Sequence, residues 1–332
     1  MSKYEPAPIE SSLIIPVYKN EANIVSLLAA LANLRQAVGK DFEVVFVVDG
    51  SPDRSYEMLE AALPQQIYRS QLIALSRNFG AFAAIRSGLM MAQGRYFAVM
   101  AADLQEPPHL IIDFFDCLRK DAADVVFGQR LSRSDGLSGH FSQMYWGFYR
   151  RFVIPGIPSG GVDIFACNAM VRDALMEMRE LNTSLIGQLF WVGYRRCFIP
   201  YERQARREGK SAWKLSRKLR YLLDSFFSFS DIPIIVLMVV GILGIVISII
   251  LWFTILLLRL FGDIVVPGYT PIVLILLGLG SVIITGQGIL GGYLWRTLQN
   301  TMERPMALIS KHQQYREVPS KDLGNSKPYH VK

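Results

Sequence analysis

Two long stretches without a charged side chain constrain this chain more than any other feature of its sequence. Residues 232–258 and residues 271–295 contain no Asp, Glu, Lys or Arg. A helix of about 20 apolar residues crosses a hydrocarbon core about 30 Å thick, so each stretch is long enough to span a bilayer. Two buried core helices are the alternative, but core helices seldom stay apolar on every side over such a length. We therefore predict a two-helix transmembrane hairpin at residues 231–296.

The basic residues predict how this hairpin is oriented in the membrane. They flank it on its outer ends, with Arg217, Lys218 and Arg220 before it and Arg296, Arg304 and Lys311 after it. The short connection holds only Arg259 against Asp263. Because positive residues favour the cytoplasmic side, we expect both termini in the cytoplasm. The first eleven residues are polar and contain prolines, so we expect no cleavable signal sequence.

A basic segment lies just before the hairpin. The chain has a net charge of +7, and its surplus of basic residues is concentrated in residues 195–220. Beside a membrane, this pattern favours anionic head groups or lipid phosphates as partners, and not nucleic acid. Residues 213–230 place leucines and phenylalanines at helical spacing, which predicts an amphipathic helix in the membrane interface. Residues 297–332 are expected to form a cytoplasmic tail, without regular structure after Lys311.

Before residue 130 the sequence has the alternating pattern of an α/β domain. The predicted strands are 13–17, 42–48, 72–75, 96–101 and 124–128, and the predicted helices are 21–34, 55–63, 81–92 and 110–120. Such alternation is typical of a mostly parallel, Rossmann-like sheet covered on both faces. Ligands of these sheets bind beyond the carboxyl ends of the strands. We assign residues 1–212 to this domain.

Polar side chains follow four of the predicted strands. The clusters are residues 16–21, 49–53, 76–80 and 103–105. Each cluster alone is also compatible with helix capping or turn formation, but four at one edge of a sheet predict a binding site. Asp49 is the natural partner for the edge of a nucleotide base, and Glu21 for a ribose hydroxyl.

One of these clusters predicts a metal site. Asp103 and Gln105 follow a buried strand and precede two prolines. A carboxylate and a side-chain amide suit Mg²⁺ or Mn²⁺, which shares its remaining positions with phosphate oxygens. The chain has neither the GxxxxGK[ST] nor the GxGxxG motif, so an ATPase or a dinucleotide-binding protein loses its main support. The sequence therefore indicates chemistry on a nucleotide-linked substrate.

Five segments together resemble a known enzyme family. They are IIPVYKNE at 14–21, VDGSPD at 48–53, LSRNFG at 75–80, ADLQEPP at 102–108 and YERQARREGKSAW at 201–213. In this order they are similar to the family 2 glycosyltransferases with a GT-A fold. The closer resemblance is to the polyprenyl-phosphate glycosyltransferases, which include dolichol-phosphate mannose synthase, the bactoprenol glucosyltransferases and the aminoarabinose-type transferases. It covers residues 12–310 and includes the two apolar stretches.

The resemblance implies roles for individual residues. Those that should bind the nucleotide sugar are Pro16, Tyr18, Glu21, Asp49, Asp53 and Arg77. The divalent metal, Mg or Mn, should bind Asp103 and Gln105. Arg130 matches a position that approaches the acceptor phosphate, and Asp163 matches an acidic position near the reaction centre. The basic loop that closes over the phosphates should contain Arg203, Arg206 and Lys214.

The resemblance also implies a reaction. It is the inverting transfer of a sugar from a nucleotide sugar, with UDP favoured over GDP, to a polyprenyl phosphate such as undecaprenyl phosphate. The enzyme should be a multi-pass protein of the bacterial inner membrane, with its catalytic domain on the cytoplasmic face. Assembly into a homo-oligomer through the apolar segments and the C-terminal segment is compatible with this arrangement. The catalytic groups should be Asp103, Asp163 and Arg130.

Three positions depart from the family pattern, and two other functions stay open. Ala101 replaces the first Asp of the usual Asp-x-Asp, Asn168 replaces a common Arg, and Gly292 replaces a common Glu. One alternative is a processive polysaccharide synthase, although residues 204–208 lack the Trp of its Gln-x-x-Arg-Trp motif. The other is a catalytically silent membrane scaffold with the same fold. This alternative is suggested by Ala101, which stands where the family has an Asp.

Overall fold

A computed structural model describes the residues 9–131, 147, 150–151, 156–158, 162–180, 183–204, 232–261 and 269–318. They belong to two compact units, of which the first comprises Met1–Leu219 with Pro305–Lys332 and the second Arg220–Arg304. The predicted interfacial helix at 213–230 lies outside the described residues. The first unit contains every predicted site residue.

The first unit is built around a mixed sheet. Its elements are β1 (Ser11–Val17), α1 (Ile24–Val38), β2 (Phe42–Val48), α2 (Ser55–Ala62), β3 (Arg69–Leu75), α3 (Ala81–Met91), β4 (Tyr96–Val99), α4 (His109–Arg119), β5 (Val125–Arg130), β6 (Val162–Asn168), α5 (Ala169–Glu177), α6 (Leu185–Trp191), β7 (Arg196–Tyr201) and β8 (Ile309–Tyr315). Short 3₁₀ turns at Glu21–Asn23 and Leu63–Gln65 precede α1 and follow α2. The five strands predicted up to residue 130 are therefore confirmed.

The order of the strands is β7-β5-β6-β4-β1-β2-β3-β8. The pairs β1/β2, β1/β4, β2/β3 and β5/β7 are parallel, whereas β6 is antiparallel to β4 and β5, and β8 is antiparallel to β3. The predicted α/β fold with a mostly parallel sheet is confirmed. Because β6 runs against both of its neighbours, β4, β5 and β7 point in the same direction. The carboxyl ends of β1 to β5 and of β7 therefore share one edge.

Helices cover both faces of the sheet. The central strand β2 is buried at every position, which is the pattern of a parallel strand with helices on both sides. On one face, α1 and α4 contribute the apolar side chains of a large core, among them Leu27 and Phe114. On the other face, α3 approaches closely because it has a glycine: a Cβ added at Gly88 would lie 2.5 Å from Cγ2 of Ile14.

The C-terminal segment corrects one prediction. Residues Ile309–Tyr315 form β8, an edge strand beside β3, although the tail was expected to lack regular structure after Lys311. The segment was predicted as unstructured because it is polar. Its first four residues are exposed in the sheet, and an edge strand of this kind needs few apolar side chains.

The second unit contains two long helices, α7 (Ile232–Phe261) and α8 (Tyr269–Thr301). They meet at Gly286, where an added Cβ would lie 2.9 Å from Cδ1 of Leu237. Large apolar side chains on both helices are exposed, for example Ile284 at 69% and Leu294 at 70%. Within the described part of the chain, no helix has both the length and the apolar character that crossing a membrane requires, so the predicted transmembrane pair is not confirmed.

Candidate active site

The first two polar clusters are joined by hydrogen bonds. The backbone N–H of Lys19 donates to Oγ of Ser51 over 2.8 Å, and that of Glu21 donates to Oδ2 of Asp53 over 3.0 Å. In return, the backbone N–H of Arg54 donates to Oε2 of Glu21 over 3.0 Å. These bonds hold the loops after β1 and β2 against each other. The parallel register of the two strands, with Val17 opposite Val48, brings them together.

Asp53 is the centre of this junction. Burial raises the pKa of its carboxyl group, but hydrogen bonds from the Ser51 and Ser55 hydroxyls and from backbone N–H groups outweigh that effect. The pKa of Asp53 therefore lies below its ordinary value of 3.8. The carboxylate stays ionised at neutral pH and organises the loop. Whether it also contacts a nucleotide, as predicted, stays a prediction.

Asp49 joins the second and third clusters. Its Oδ1 accepts from the N–H of Phe79 over 2.7 Å, and its Oδ2 accepts from the N–H of Gly80 over 2.8 Å and from Nδ2 of Asn78 over 2.9 Å. The residue is only 2% exposed. The carboxylate predicted to meet a base edge thus fixes the loop that precedes α3. Its role toward a base stays a prediction.

Gly50 allows the same two loops to approach. It has φ +55°, and an added Cβ would lie 2.3 Å from the carbonyl carbon of Arg77. Such a distance is impossible for a real side chain, so no other residue fits without moving the loop at 76–80. Arg77 itself is exposed, and its guanidinium lies 4.0 Å from the ring centroid of Phe79. A cation on an aromatic face at this edge is a suitable neighbour for an anionic ligand.

The remaining residues that are predicted to bind the nucleotide lie at the same carboxyl edge of the sheet. Pro16 is part of β1 opposite Val47, and Tyr18 follows the end of that strand. The Lys19 ammonium lies 5.6 Å from the ring centroid of Tyr18. Lys19 has φ +56°, a left-handed conformation that is uncommon for a residue with a side chain. Such backbone strain is often found at functional sites.

The turn after β4 carries Asp103 and Gln105. Leu104 between them has φ +53°, and Oδ1 of Asp103 accepts from the N–H of Gln105 over 3.4 Å. The proline pair at 107–108 then leads into α4, which begins at His109. Both side chains are partly exposed, so the turn presents them at the carboxyl edge of the sheet.

Gln105 binds the segment that follows β7. Its Oε1 accepts from Nη2 of Arg203 over 2.6 Å, and its Nε2 donates to the carbonyl of Gln204 over 3.3 Å. The N–H of Gln204 donates back to the carbonyl of Gln105 over 2.9 Å. Arg203 also lies 4.0 Å from the carboxylate of Glu106, whose side chain is 2% exposed. The structure therefore brings a predicted phosphate-binding cation to the predicted metal turn.

The donors at this turn fit a metal that is shared with a phosphate ligand. Asp103 supplies one carboxylate, and the described residues contain no group of three or more His, Cys, Asp or Glu side chains that would hold a metal alone. Mg²⁺ commonly uses one or two carboxylates and completes its coordination with phosphates and water. The side-chain oxygen of Gln105 accepts from Arg203, and its second lone pair is the one with which it would bind a metal. Its role as a metal ligand stays a prediction.

The predicted acceptor residues are described only in part. Arg130 is the last residue of β5 and pairs with Tyr201 of β7. Because Tyr201 is only two residues before Arg203 in the chain, Arg130 lies at the same carboxyl edge of the sheet as Arg203. Asp163 is the second residue of β6, which begins opposite Gln129 at this edge, but its side chain is outside the described set. Arg206 and Lys214 lie outside the described residues as well.

Of the three departures from the family pattern, Asn168 has a clear structural role. Its Oδ1 accepts from the N–H of Val171 and caps α5, and its Nδ2 donates to Asp124 over 3.0 Å. Asp124 also binds the guanidinium of Arg195. These residues lie at the opposite edge of the sheet from Asp103. Ala101 is partly buried in the turn before Asp103, and nothing in the structure explains Gly292.

Three residues of this edge were not predicted individually. Ser51 and Asn78 bind neighbouring loops, and Gln204 binds the metal turn. Ser51 and Asn78 stand inside polar clusters after strands, so the sequence held a signal for them. Gln204 stands in the segment 201–213 that carries the family resemblance, but nothing in the sequence indicated its partner, which is 99 residues away.

The chain is similar to known glycosyltransferases over most of its length. The family model described as Glycosyl transferase family 2 matches residues 12–179. An uncharacterized glycosyltransferase of Synechocystis sp. is 30% identical over 91% of this chain and 95% of its own length. A prophage bactoprenol glucosyl transferase homolog of Escherichia coli is 28% identical over 90% and 98%. An undecaprenyl-phosphate 4-deoxy-4-formamido-L-arabinose transferase of Pseudomonas paraeruginosa is 29% identical over 92% and 91%.

Proposed function

The chain belongs to glycosyl transferase family 2, and from this membership we propose that it transfers a sugar from a nucleotide sugar to a polyprenyl phosphate. The acceptor is suggested by two relatives, whose names specify bactoprenol and undecaprenyl phosphate. Both similarities extend over at least 90% of this chain, so they include the apolar helices as well as the sheet.

One observation carries this proposal. At the carboxyl edge of the sheet, Gln105 bonds to both groups: its backbone N–H donates to the carboxylate of Asp103, and its side-chain oxygen accepts from the guanidinium of Arg203. A nucleotide diphosphate needs both kinds of group: a carboxylate that binds a divalent cation and a cation of the protein that binds phosphate directly. The loops held by Asp49 and Asp53 lie along the same edge and offer a place for the nucleoside. UDP is the favoured nucleotide.

The reaction needs little proton transfer, because the attacking atom is already an anionic phosphate oxygen. The protein then has to align this oxygen with the anomeric carbon and stabilise the departing nucleoside diphosphate. Arg203 would bind the leaving phosphates, and Arg130 the acceptor phosphate. A divalent cation held at Asp103, when bound, would supply further Lewis-acid stabilisation of the leaving group. In-line attack inverts the anomeric configuration.

The proposed mechanism also includes three residues whose roles come from the sequence alone: Asp163, Arg206 and Lys214. Asp163 lies on β6 near the start of that strand, where it would position the acceptor or act as a weak base. Arg206 and Lys214 belong to the basic segment after β7, which would close over the phosphates. Their contributions are part of the proposed mechanism and rest on the family resemblance.

The lipid acceptor makes membrane attachment part of the proposal. A polyprenyl phosphate keeps its tail in the bilayer and its phosphate at the surface, so its enzyme must work beside the membrane. The exposed apolar side chains of α7 and α8, such as Ile284 and Leu294, support contact with lipid, because so much exposed apolar surface is unfavourable in water. We propose that these helices anchor the protein in the inner membrane, with the catalytic unit on the cytoplasmic side.

The decisive experiment identifies the product. Membranes that contain the protein are incubated with undecaprenyl phosphate and a panel of UDP- and GDP-sugars, and the lipids are analysed by mass spectrometry. We expect one nucleotide sugar to give a sugar-phosphate lipid, and its yield to fall when EDTA removes divalent metal. A product that carries more than one added sugar would favour a polysaccharide synthase. Absence of any product, together with no binding of nucleotide, would favour the scaffold.

A further inference from the structure

The edge strand β8 begins beside the loop that Asp49 holds. In the antiparallel register, Ser70 faces Tyr315 and Ala74 faces Lys311, so the start of β8 lies at the carboxyl end of β3. Leu75 then faces Ile309, and Ser310 is an extra residue in the pairing. Such a bulge bends the strand and redirects its side chains, and bulges are frequent beside active sites.

The bulge makes two contacts with the end of β3. The Ser310 hydroxyl donates to the carbonyl of Ala74 over 3.0 Å. The carbonyl of Leu308 accepts from the N–H of Ser76 over 2.8 Å. Ser76 begins the loop that extends to Gly80. The bulge therefore fixes the point at which this loop leaves the sheet.

The other end of the loop is fixed by Asp49. Asn78, Phe79 and Gly80 all donate to its carboxylate. The loop is thus held at its first residue by the C-terminal segment and at its last three residues by the loop after β2. A shift of Ser76 would be transmitted over only one intervening residue, Arg77, to the donors that face Asp49.

The remaining contacts of the C-terminal segment lie farther from the site. His312 contacts Gln71 over 2.8 Å, and Gln313 donates to Glu60 over 2.7 Å. At the far end, Glu317 forms an ion pair with Arg35 over 3.2 Å. An edge strand also protects a sheet from pairing with other chains, a role that needs no link to the loop. Residues 308–310 contact the loop at 76–80, whereas Glu317 does not, so substitutions at these two ends can separate positioning of the loop from protection of the sheet edge.

We propose that residues 308–310 are positioning residues for the donor site. Through the bulge they set the position of the loop at 76–80, so that binding of the nucleotide depends on a segment that follows the apolar helices in the chain. This inference rests on the proposed function, because it assumes that the loop contacts a nucleotide sugar. None of the three residues needs to touch the substrate.

The test compares two full-length variants with the parent protein. Deletion of Ser310 removes the bulge but retains the pairing of residues 311–315, and Glu317→Gln weakens the far end of the same segment. Since the deletion removes one or two hydrogen bonds that fix the loop, we expect the KM for the donor to rise about fivefold to tenfold. The kcat and the KM for undecaprenyl phosphate should stay unchanged. Glu317→Gln should change none of these values.

Hydrogen exchange gives a readout that needs no substrate. The amides of Phe79 and Gly80 should exchange faster after deletion of Ser310 and at the parent rate in Glu317→Gln. Equal exchange in all three proteins, or faster exchange with an unchanged KM for the donor, would overturn the inference while the proposed function stands. If the parent protein neither binds UDP in calorimetry with Mn²⁺ nor forms product, the proposed function fails, and this inference fails with it.

Discussion

At the scale of single residues, the carboxylates at the carboxyl edge of the sheet differ in their hydrogen bonds. Asp49 and Asp53 accept hydrogen bonds from neighbouring loops, and those bonds build the edge. Asp103 accepts from the N–H of Gln105 at the long distance of 3.4 Å and is partly exposed. Residue type alone made all three equal candidates for binding. The structure assigns a loop-holding role to Asp49 and Asp53, and the metal role of Asp103 stays a prediction.

Substitution of Asp103 tests the metal role. Asp103→Asn keeps the size of the side chain but removes the negative charge, so we expect kcat to fall about 100-fold or more. The measurement is product formation in membranes at saturating donor and acceptor. Asp113→Asn is the matched control, because Asp113 lies exposed on α4 and should leave activity unchanged. Full activity of Asp103→Asn would rule out the metal assignment.

Substitution of Gly50 tests the junction of the loops. In Gly50→Ala the new Cβ would collide with the backbone of Arg77, so we expect a loss of more than about 2 kcal/mol in the free energy of unfolding. Binding of UDP, measured by calorimetry, should weaken because the loop at 76–80 must move. Gly39→Ala is the control: Gly39 has φ +118° but nothing within 4 Å of an added Cβ. If both variants bind UDP like the parent, the close approach at Gly50 has no functional importance.

At the scale of the elements, the sheet has two edges with different uses. The carboxyl edge of the parallel strands collects Asp103, Arg130 and Arg203. The opposite edge holds Asp124 with Asn168 and Arg195, a purely structural group. The hydrogen bond from Arg195 is the main cause that lowers the pKa of Asp124 below its ordinary value of 3.8. Parallel strands separate the two roles, because all their carboxyl ends point the same way.

The pKa of Asp124 predicts a dependence of stability on pH. Because the folded pKa lies below the unfolded value, the carboxylate stabilises the fold above about pH 4, and this contribution is lost as the pH falls through the folded pKa. Asp124→Asn should therefore lower the thermal unfolding temperature at neutral pH, and the difference from the parent should shrink as the pH falls below 3.8 and through the folded pKa. Asp121→Asn is the control, since that side chain is 82% exposed and its ion pair is screened. A difference that is independent of pH would contradict the assignment.

At the scale of the whole molecule, we propose that the first unit carries out the reaction and the second attaches the protein to the membrane. The first unit contains the sheet and the site, and it includes the C-terminal strand that the chain reaches only after α8. The second unit contains the two apolar helices α7 and α8. A lipid-linked acceptor would require both, since the sugar donor is soluble in water and the acceptor is not.

Membrane attachment can be tested on the whole protein. We expect the full chain to stay in the membrane fraction after an alkaline carbonate wash, because burial of the exposed apolar side chains in lipid stabilises it there by about 25 cal/mol per Å². Ile284→Lys and Leu294→Lys together should release a larger share of the protein, since each places a charge on an exposed apolar position of α8. Glu303→Lys, beyond the end of α8, is the control. Complete release of the parent protein by the wash would contradict the proposed anchoring.

The sequence by itself determined the five strands up to residue 130 and the edge at which the polar clusters meet. Both follow from local patterns, since apolar periodicity specifies each element and parallel strands must bring their carboxyl ends together. The motifs also indicated the family. The strands β6, β7 and β8 and the helices α5 and α6 were not predicted, and β8 is so polar that it carries no apolar pattern at all.

Only the tertiary structure decided which of the polar groups bind one another. Gln105 and Arg203 are 98 residues apart, and Ala74 and Ser310 are 236 apart, yet each pair forms a hydrogen bond. Such contacts depend on how the chain returns to the sheet, which no local pattern records. A carboxylate or an amide looks the same in the sequence whether it holds a loop or faces a ligand. Folding distinguishes the two, because a buried polar group must find its hydrogen-bond partners within the protein.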